Sequence, residues 1–229
     1  MHQSVTDIRK HFVSELEAER FTTDKTGQKT IEIIGASFIA DEPSIFGRPS
    51  DSYIAAEIKW YESLSTNIYD IHKDGSAPVA WKYAADQYGN INSNYGALIW
   101  SNKYHNQYDN ALGELVANPD SRRAMMIYNR PSVWHEYNEN GKSDFICTNA
   151  VTYYIRDNQL HAVVQMRSND VVFGYKNDYA WARYVMQKLC DDYNLAITFK
   201  KDRPDIALGT LYWQVQNLHV YQKHFHLVK

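Results

Sequence analysis

Cysteine is scarce in this chain. Only Cys147 and Cys190 occur in 229 residues, too few for a disulfide framework and in keeping with a reducing cytoplasm. Neither sign of charge dominates: the formal net charge is −3 and no run of Lys or Arg occurs, which argues against a nucleic-acid groove. No apolar stretch is long enough to span a bilayer, and Met1-His2-Gln3-Ser4 does not open a secretory apolar region. No segment matches a phosphate-cradling Gly-rich loop or a dinucleotide fingerprint, and no internal repeat is visible. The 18 tyrosines are unusual but select no function by themselves. What remains is a chain long enough for an ample core, expected to form one domain over residues 1–229 with no membrane or nucleic-acid partner.

The pattern of apolar residues predicts mixed helices and strands. Ile8, Phe12, Val13 and Leu16 recur at helical spacing, and further helices are expected over 53–64, 108–116 and 179–193. Strands are expected over 29–40, 123–128, 145–156, 160–167 and 208–221, with a loop over 41–51. On the last strand Leu211, Trp213, Val215, Asn217, His219 and Tyr221 share a face. Runs of helix and strand without strict alternation suggest α+β: a large mixed sheet with helices packed on it.

Several side chains carry chemistry. Asp157-Asn158-Gln159 reads as a hairpin turn, and pairing outward from it sets Cys147 across from Ser168 or Asn169, beside Arg167. A thiol next to a guanidinium is favoured as thiolate, the nucleophilic form; the plain alternative is a free cysteine packed in a strand. Glu57 sits among Ile54, Trp60, Tyr61 and Leu64 on one helix face. A carboxylate there is costly unless hydrogen-bonded or neutralised, and burial would raise its pKa into a useful range for proton transfer. Arg122 and Arg123 are suited to phosphate, or are simply a solvated pair at a strand end. Asn177-Asp178 reads as a helix N-cap. His219, His224 and His226 lack a metal-site partner, so no metal is expected.

Taken in order, Asp24-Lys25-Thr26-Gly27, Glu57-Ile58-Lys59-Trp60-Tyr61, Asn94-Tyr95-Gly96, Pro119-Asp120-Ser121-Arg122-Arg123, Cys147, Arg167-Ser168-Asn169-Asp170, Gly174 through Asp178 and His219-Val220-Tyr221 resemble the thymidylate synthase superfamily along nearly the whole chain. Within it, Lys29 through Phe38 and Ser168 through Gly174 look most like the phage branch that hydroxymethylates dCMP. The resemblance implies a folate-dependent hydroxymethyltransferase that converts dCMP and 5,10-methylenetetrahydrofolate to 5-hydroxymethyl-dCMP. A related transfer to dUMP or CMP, a methylating reaction, and a silent nucleotide-binding scaffold are the alternatives.

The same resemblance implies roles. Cys147 would attack C6 of the pyrimidine and Glu57 would relay protons. Lys25, Arg167 and Ser168 would bind phosphate, joined by Arg122 and Arg123 from the other subunit of a homodimer formed across a sheet face. His219 and Tyr221 would hold the deoxyribose, and Trp81, Asp170 and Gly174 the folate. Asp178 stands where synthases carry Asn; a carboxyl group can accept from cytosine's amino group and, when protonated, donate to its ring nitrogen. Ile146 and Thr148 replace the Pro and His usual beside the nucleophile, and Asn217 replaces a common Asp. The sequence ends at Lys229, where the family continues into a closing tail; a short enzyme, a trimmed sequence or a different closure would each account for this.

Overall fold

The computed structural model describes residues 3–23, 27–200 and 203–229. Its centre is a seven-stranded sheet. The strands are β1 (Gln3–Ser4), β2 (Thr22–Thr23), β3 (Lys29–Ile39), β4 (Met125–Ile127), β5 (Thr148–Arg156), β6 (Gln159–Asp170) and β7 (Ala207–Tyr221). They run in the order β1-β3-β7-β6-β5-β4, with β2 added beside β3. β6 and β7 pair in parallel while β3–β7, β5–β6 and β4–β5 are antiparallel, so the sheet is mixed as expected.

The helices are α1 (Val5–Glu17), α2 (Asp51–Ser63), α3 (Val79–Ala84), α4 (Tyr95–Trp100), α5 (Gln107–Ala117), α6 (Val133–Glu136) and α7 (Gly174–Ile197). α1 starts at a capping box, in which Ser4 and Asp7 each satisfy the other's backbone N–H. α7 lies on β6 and β7 and buries Tyr175, Trp181, Val185, Met186, Leu189 and Tyr193. The inward residues of β7 expected to share a face, Leu211, Trp213 and Val215, are buried. Ser37, Gln214 and Gln165 stand side by side on neighbouring strands and are exposed, with Gln165 Nε2 donating to Gln214 Oε1 at 3.1 Å.

The structure revises several sequence-based boundaries. The strand expected over 123–128 covers only Met125–Ile127, and that expected from 145 starts at Thr148. The helix expected over 179–193 is longer, Gly174–Ile197. Asp170 Oδ1 accepts from the backbone N–H of Val172 and Phe173, which carries the chain from β6 straight into α7. Asp178 therefore lies in the second turn of α7, and the N-cap reading of Asn177-Asp178 is wrong. The hairpin turn is Asp157-Asn158, both with positive φ (52° and 56°), as a tight type I′ loop requires. The register of that hairpin shifts between Thr148 and Ala150. This bulge places Cys147 across from Arg167, whose N–H donates to Cys147 O at 2.9 Å, rather than across from Ser168 or Asn169. His224 and His226 are in the 3₁₀ turn Gln222–Leu227, beyond the end of β7.

Under the helices lies an aromatic cluster that accounts for some of the tyrosines. Tyr61 of α2 stacks on Tyr95 of α4 at 5.5 Å and meets Trp181 of α7 edge-on at 4.8 Å. Trp100 also meets Trp181, and Trp181 Nε1 donates to Tyr128 Oη at 3.2 Å. Such ring pairs add stability beyond their buried area. The close approach of α2 and α4 depends on Gly96, where an added Cβ would lie 1.9 Å from Tyr61 O. Gly96→Ala must therefore separate the two helices. It should destabilise the protein by about 3 kcal/mol, read as a lower urea midpoint at unchanged slope.

Candidate active site

Among the cavities lined by described residues, one of about 490 Å³ is walled by α2, α3, α7 and the adjoining ends of the strands. Cys147, Glu57, Asp178, Arg167, Ser168, His219, Tyr221, Trp81, Asp170 and Gly174 all line it. These are ten of the thirteen side chains or backbone positions singled out in the sequence. Lys25 lies outside the described residues. Arg122 and Arg123 are exposed and do not line the cavity; Arg123 instead pairs with Glu114 at 2.9 Å.

Glu57 is buried, as its place on the apolar face of α2 predicts. Its Oε1 accepts from Tyr53 Oη at 2.6 Å and from Trp81 Nε1 at 3.1 Å. Trp81 Nε1 also reaches Tyr53 Oη at 3.0 Å, closing a small hydrogen-bonded ring. Burial holds the Glu57 carboxyl above the ordinary range, against the pull of these two donors. Tyr53 could not be found by periodicity, although it stands four residues before Glu57 on the same helix, the spacing at which side chains meet.

Asp178 faces the cavity from α7. Asn169 Nδ2 donates to its Oδ2 at 2.8 Å, and Trp213 Nε1 donates to Asn169 Oδ1 at 3.2 Å. An indole N–H can only donate, so Asn169 must turn its oxygen to Trp213 and its amino group to Asp178. Burial, then the charge of Glu57, pushes Asp178 up to about 8, while the Asn169 bond pulls it down. At neutral pH Asp178 is therefore mostly the neutral acid. With Oδ2 accepting from Asn169, its proton belongs on Oδ1.

The Cys147 thiol lies 3.6 Å from Arg167 Nη2. The guanidinium is held by backbone oxygens of Phe145 and Ile146 and by the Phe145 ring, 4.8 Å from its carbon. The expected depression of the thiol pKa does not follow. Burial raises it, Arg167 opposes, and Asp178 and Asp144 raise it again, to about 11. Desolvation of the thiolate outweighs one guanidinium.

Asp144, which sequence patterning missed, is buried near the cavity floor. It accepts from the N–H groups of Asn92 and Ser93 and from Ser93 Oγ at 2.6–2.8 Å. Thr148 Oγ1 donates to Tyr95 Oη at 3.0 Å beside the nucleophile. His219 Nδ1 lies 3.1 Å from Asn217 Oδ1. Beside the start of α7, Asp170 Oδ2 is buried with no hydrogen-bond partner among the described residues, 3.9 Å from His224 Nδ1, which likewise has none there. Among the described residues no group of three or more His, Cys, Asp or Glu gathers as a metal site, and no helix is long and apolar enough to cross a membrane.

The titration of Asp178 has a consequence for stability. A carboxyl whose folded pKa of about 8 exceeds its unfolded value of 3.8 keeps its proton longer when folded. Its contribution to stability therefore falls as pH rises from about 4 to about 8, then levels off. In Asp178→Asn this fall should be missing, as measured by urea unfolding at a series of pH values. The same change removes a negative neighbour of Cys147, so the pH profile of Cys147 alkylation should move to lower pH.

A thymidylate synthase sequence profile matches residues 11–229 of the chain. The deoxycytidylate 5-hydroxymethyltransferases of Enterobacteria phages T4 and T6 are each 52% identical to it over 225 residues, 98% of this chain and 89% of theirs. The thymidylate synthase of Buchnera aphidicola subsp. Acyrthosiphon pisum (strain Tuc7) is 25% identical over 216 residues, 90% of this chain and 75% of that protein.

Proposed function

The chain belongs to the thymidylate synthase family, and from that premise we propose that it is a dCMP hydroxymethylase. It would take dCMP, 5,10-methylenetetrahydrofolate and water to 5-hydroxymethyl-dCMP and tetrahydrofolate. The observation that carries the choice of base is Asp178, a buried carboxyl pushed up to about 8 and held in one orientation by Asn169. Protonated Oδ1 donates to the unprotonated ring nitrogen of cytosine, and Oδ2 has a lone pair left for the amino group. Uracil presents a ring N–H and a carbonyl instead, for which an amide is the better partner.

Cys147 Sγ then bonds to C6 as its proton leaves, and C5 becomes the carbon nucleophile. The folate, when bound, supplies the one-carbon unit at the oxidation level of formaldehyde. C5 takes that carbon and gives up its proton. The bond from that carbon to the folate nitrogen breaks, so that tetrahydrofolate leaves with the electron pair and an exocyclic methylene remains on the ring. Water adds to the resulting exocyclic methylene, and the Sγ–C6 bond breaks to release Cys147. Glu57, buried and raised in pKa, is suited to carry protons to and from water here. Arg167 and Ser168 are assigned to the phosphate, and His219 and Tyr221 to the sugar.

The folate fits what the cavity offers: the orphaned oxygen of Asp170 for a polar edge and the rings of Trp81 and Phe173 as walls. We assign Asp170, Trp81 and Gly174 to it. Lys25 is assigned to phosphate on the resemblance alone. Arg122 and Arg123, exposed and away from the cavity of their own chain, are assigned to the phosphate of a partner subunit in a homodimer. The exposed sheet face around Ser37, Gln165 and Gln214 would form the interface. Residues 1–229 are read as one catalytic domain acting in the cytoplasm.

Mass spectrometry of the nucleotide after incubation with the folate and dCMP, dUMP or CMP tests this reading. A hydroxymethyl group on dCMP is the expected result; a methyl group would mean the reaction is wrong, and no product on any substrate would overturn it. Cys147→Ala should lose turnover by at least about a thousandfold while binding dCMP nearly as well. Asp178→Asn should move preference toward dUMP; an unchanged dCMP/dUMP ratio of kcat/KM would refute the role given to Asp178.

A further inference from the structure

A hydrogen-bonded chain leads from the sheet into the sugar end of the cavity. β3 and β7 pair so that Glu32 stands opposite His219 and Ile34 opposite Asn217. Alternation along both strands then puts Glu32, Asn217 and His219 on one face. Asn217 Nδ2 donates to Glu32 Oε2 at 2.7 Å, and Asn217 Oδ1 lies 3.1 Å from His219 Nδ1.

The chemistry of these groups fixes the direction of the chain. An ionised carboxylate accepts only, so the amide end facing Glu32 is the amino group. The other end is then the carbonyl oxygen, which also only accepts. His219 Nδ1 must carry the ring proton. A neutral imidazole has only one such proton, so Nε2 is left as an acceptor. The ring is buried to 8% exposure, lines the cavity, and is held edge-on by Tyr221 at 4.8 Å.

We infer that Glu32 and Asn217 are positioning residues that lock His219 in its Nδ1–H tautomer, so that Nε2 accepts a hydrogen bond from the 3′-hydroxyl of the nucleotide's deoxyribose. The inference deepens the proposed function and rests on it for the identity of the sugar. The tautomer itself rests only on Glu32, Asn217 and His219. Without Glu32 the amide loses the partner that orients it, and only the longer contact of Nδ1 to the backbone oxygen of Asn217, at 3.4 Å, still favours Nδ1–H. A flipped amide would accept the opposite tautomer, whose Nε2–H cannot accept at all.

The test is the tautomer of His219, read from long-range proton–nitrogen NMR of the unliganded, ¹⁵N-histidine-labelled protein and assigned by comparison with His219→Gln. Wild type should show Nδ1 protonated and Nε2 bare. Glu32→Gln should populate the other tautomer and raise KM for dCMP by about tenfold, the loss of one hydrogen bond, with kcat changed much less. KM for 2′,3′-dideoxy-CMP, which lacks the hydroxyl, should be the same in both proteins. Asn217→Asp keeps an acceptor opposite Nδ1 and should keep the wild-type tautomer. An Nε2–H tautomer in wild type, loss of the tautomer in Asn217→Asp, or an equal KM rise for both nucleotides in Glu32→Gln would overturn the inference. Absence of any product from dCMP with wild type would instead overturn the functional reading, leaving the NMR result to judge the hydrogen-bond chain.

Discussion

Two carboxyl groups, Glu57 and Asp178, share one cavity, and the rest of the site is arranged around the cost of keeping them there. Burial raises both, and the charge of Glu57 raises Asp178 further. Among the described residues neither carboxyl accepts from a cation; both are held by neutral donors, Tyr53 and Trp81 on one side and Asn169 on the other. A salt bridge would have fixed them as anions and removed their protons from use. Neutral donors satisfy the oxygens and leave the protons exchangeable.

That arrangement needs a rigid frame, because a carboxyl group free to turn toward water would regain its ordinary pKa. The frame is the aromatic contact of α2, α4 and α7, in which Tyr61, Tyr95 and Trp181 pack behind the cavity. Trp213, fully buried under α7, holds the amide that holds Asp178. The large side chains on the inner face of the sheet therefore serve packing and proton placement together. Gly96 is the complementary requirement: a position with no side chain lets the helices come close enough for the rings to meet.

Much of this was readable along the chain, and the failures have physical causes. Helical spacing alone put Glu57 on a buried face. Alternation on β7 put Asn217, His219 and Tyr221 together, since a strand's period is fixed by its geometry. The register of the β5–β6 hairpin was off by one because a bulge leaves no residue signature in Cys147-Thr148-Asn149. The N-cap assigned to Asn177-Asp178 failed because Asp170, eight residues earlier, already organises the start of α7 through the N–H groups of Val172 and Phe173. Asn169, Tyr53, Asp144 and Ser93 went unassigned for a different reason: each matters through a partner distant in sequence or hidden in the same helix, and no local pattern encodes the pairing.

Cys147 shows how the parts depend on one another. Cross-strand proximity to Arg167 suggested a thiolate, but burial and the negative neighbours Asp178 and Asp144 carry the thiol to about 11. Of those contributions, burial and Asp144 are fixed by the fold, whereas Asp178 changes with what it binds. A base that donates to Asp178 would favour its anion and raise the thiol pKa further. A base that accepts from it, as cytosine's ring nitrogen would under the proposed function, holds Asp178 as the neutral acid and so keeps that repulsion away from a developing thiolate. On that reading, recognition of the base and the charge beside the nucleophile are linked through Asp178, while burial, the larger cause, sets the thiol high.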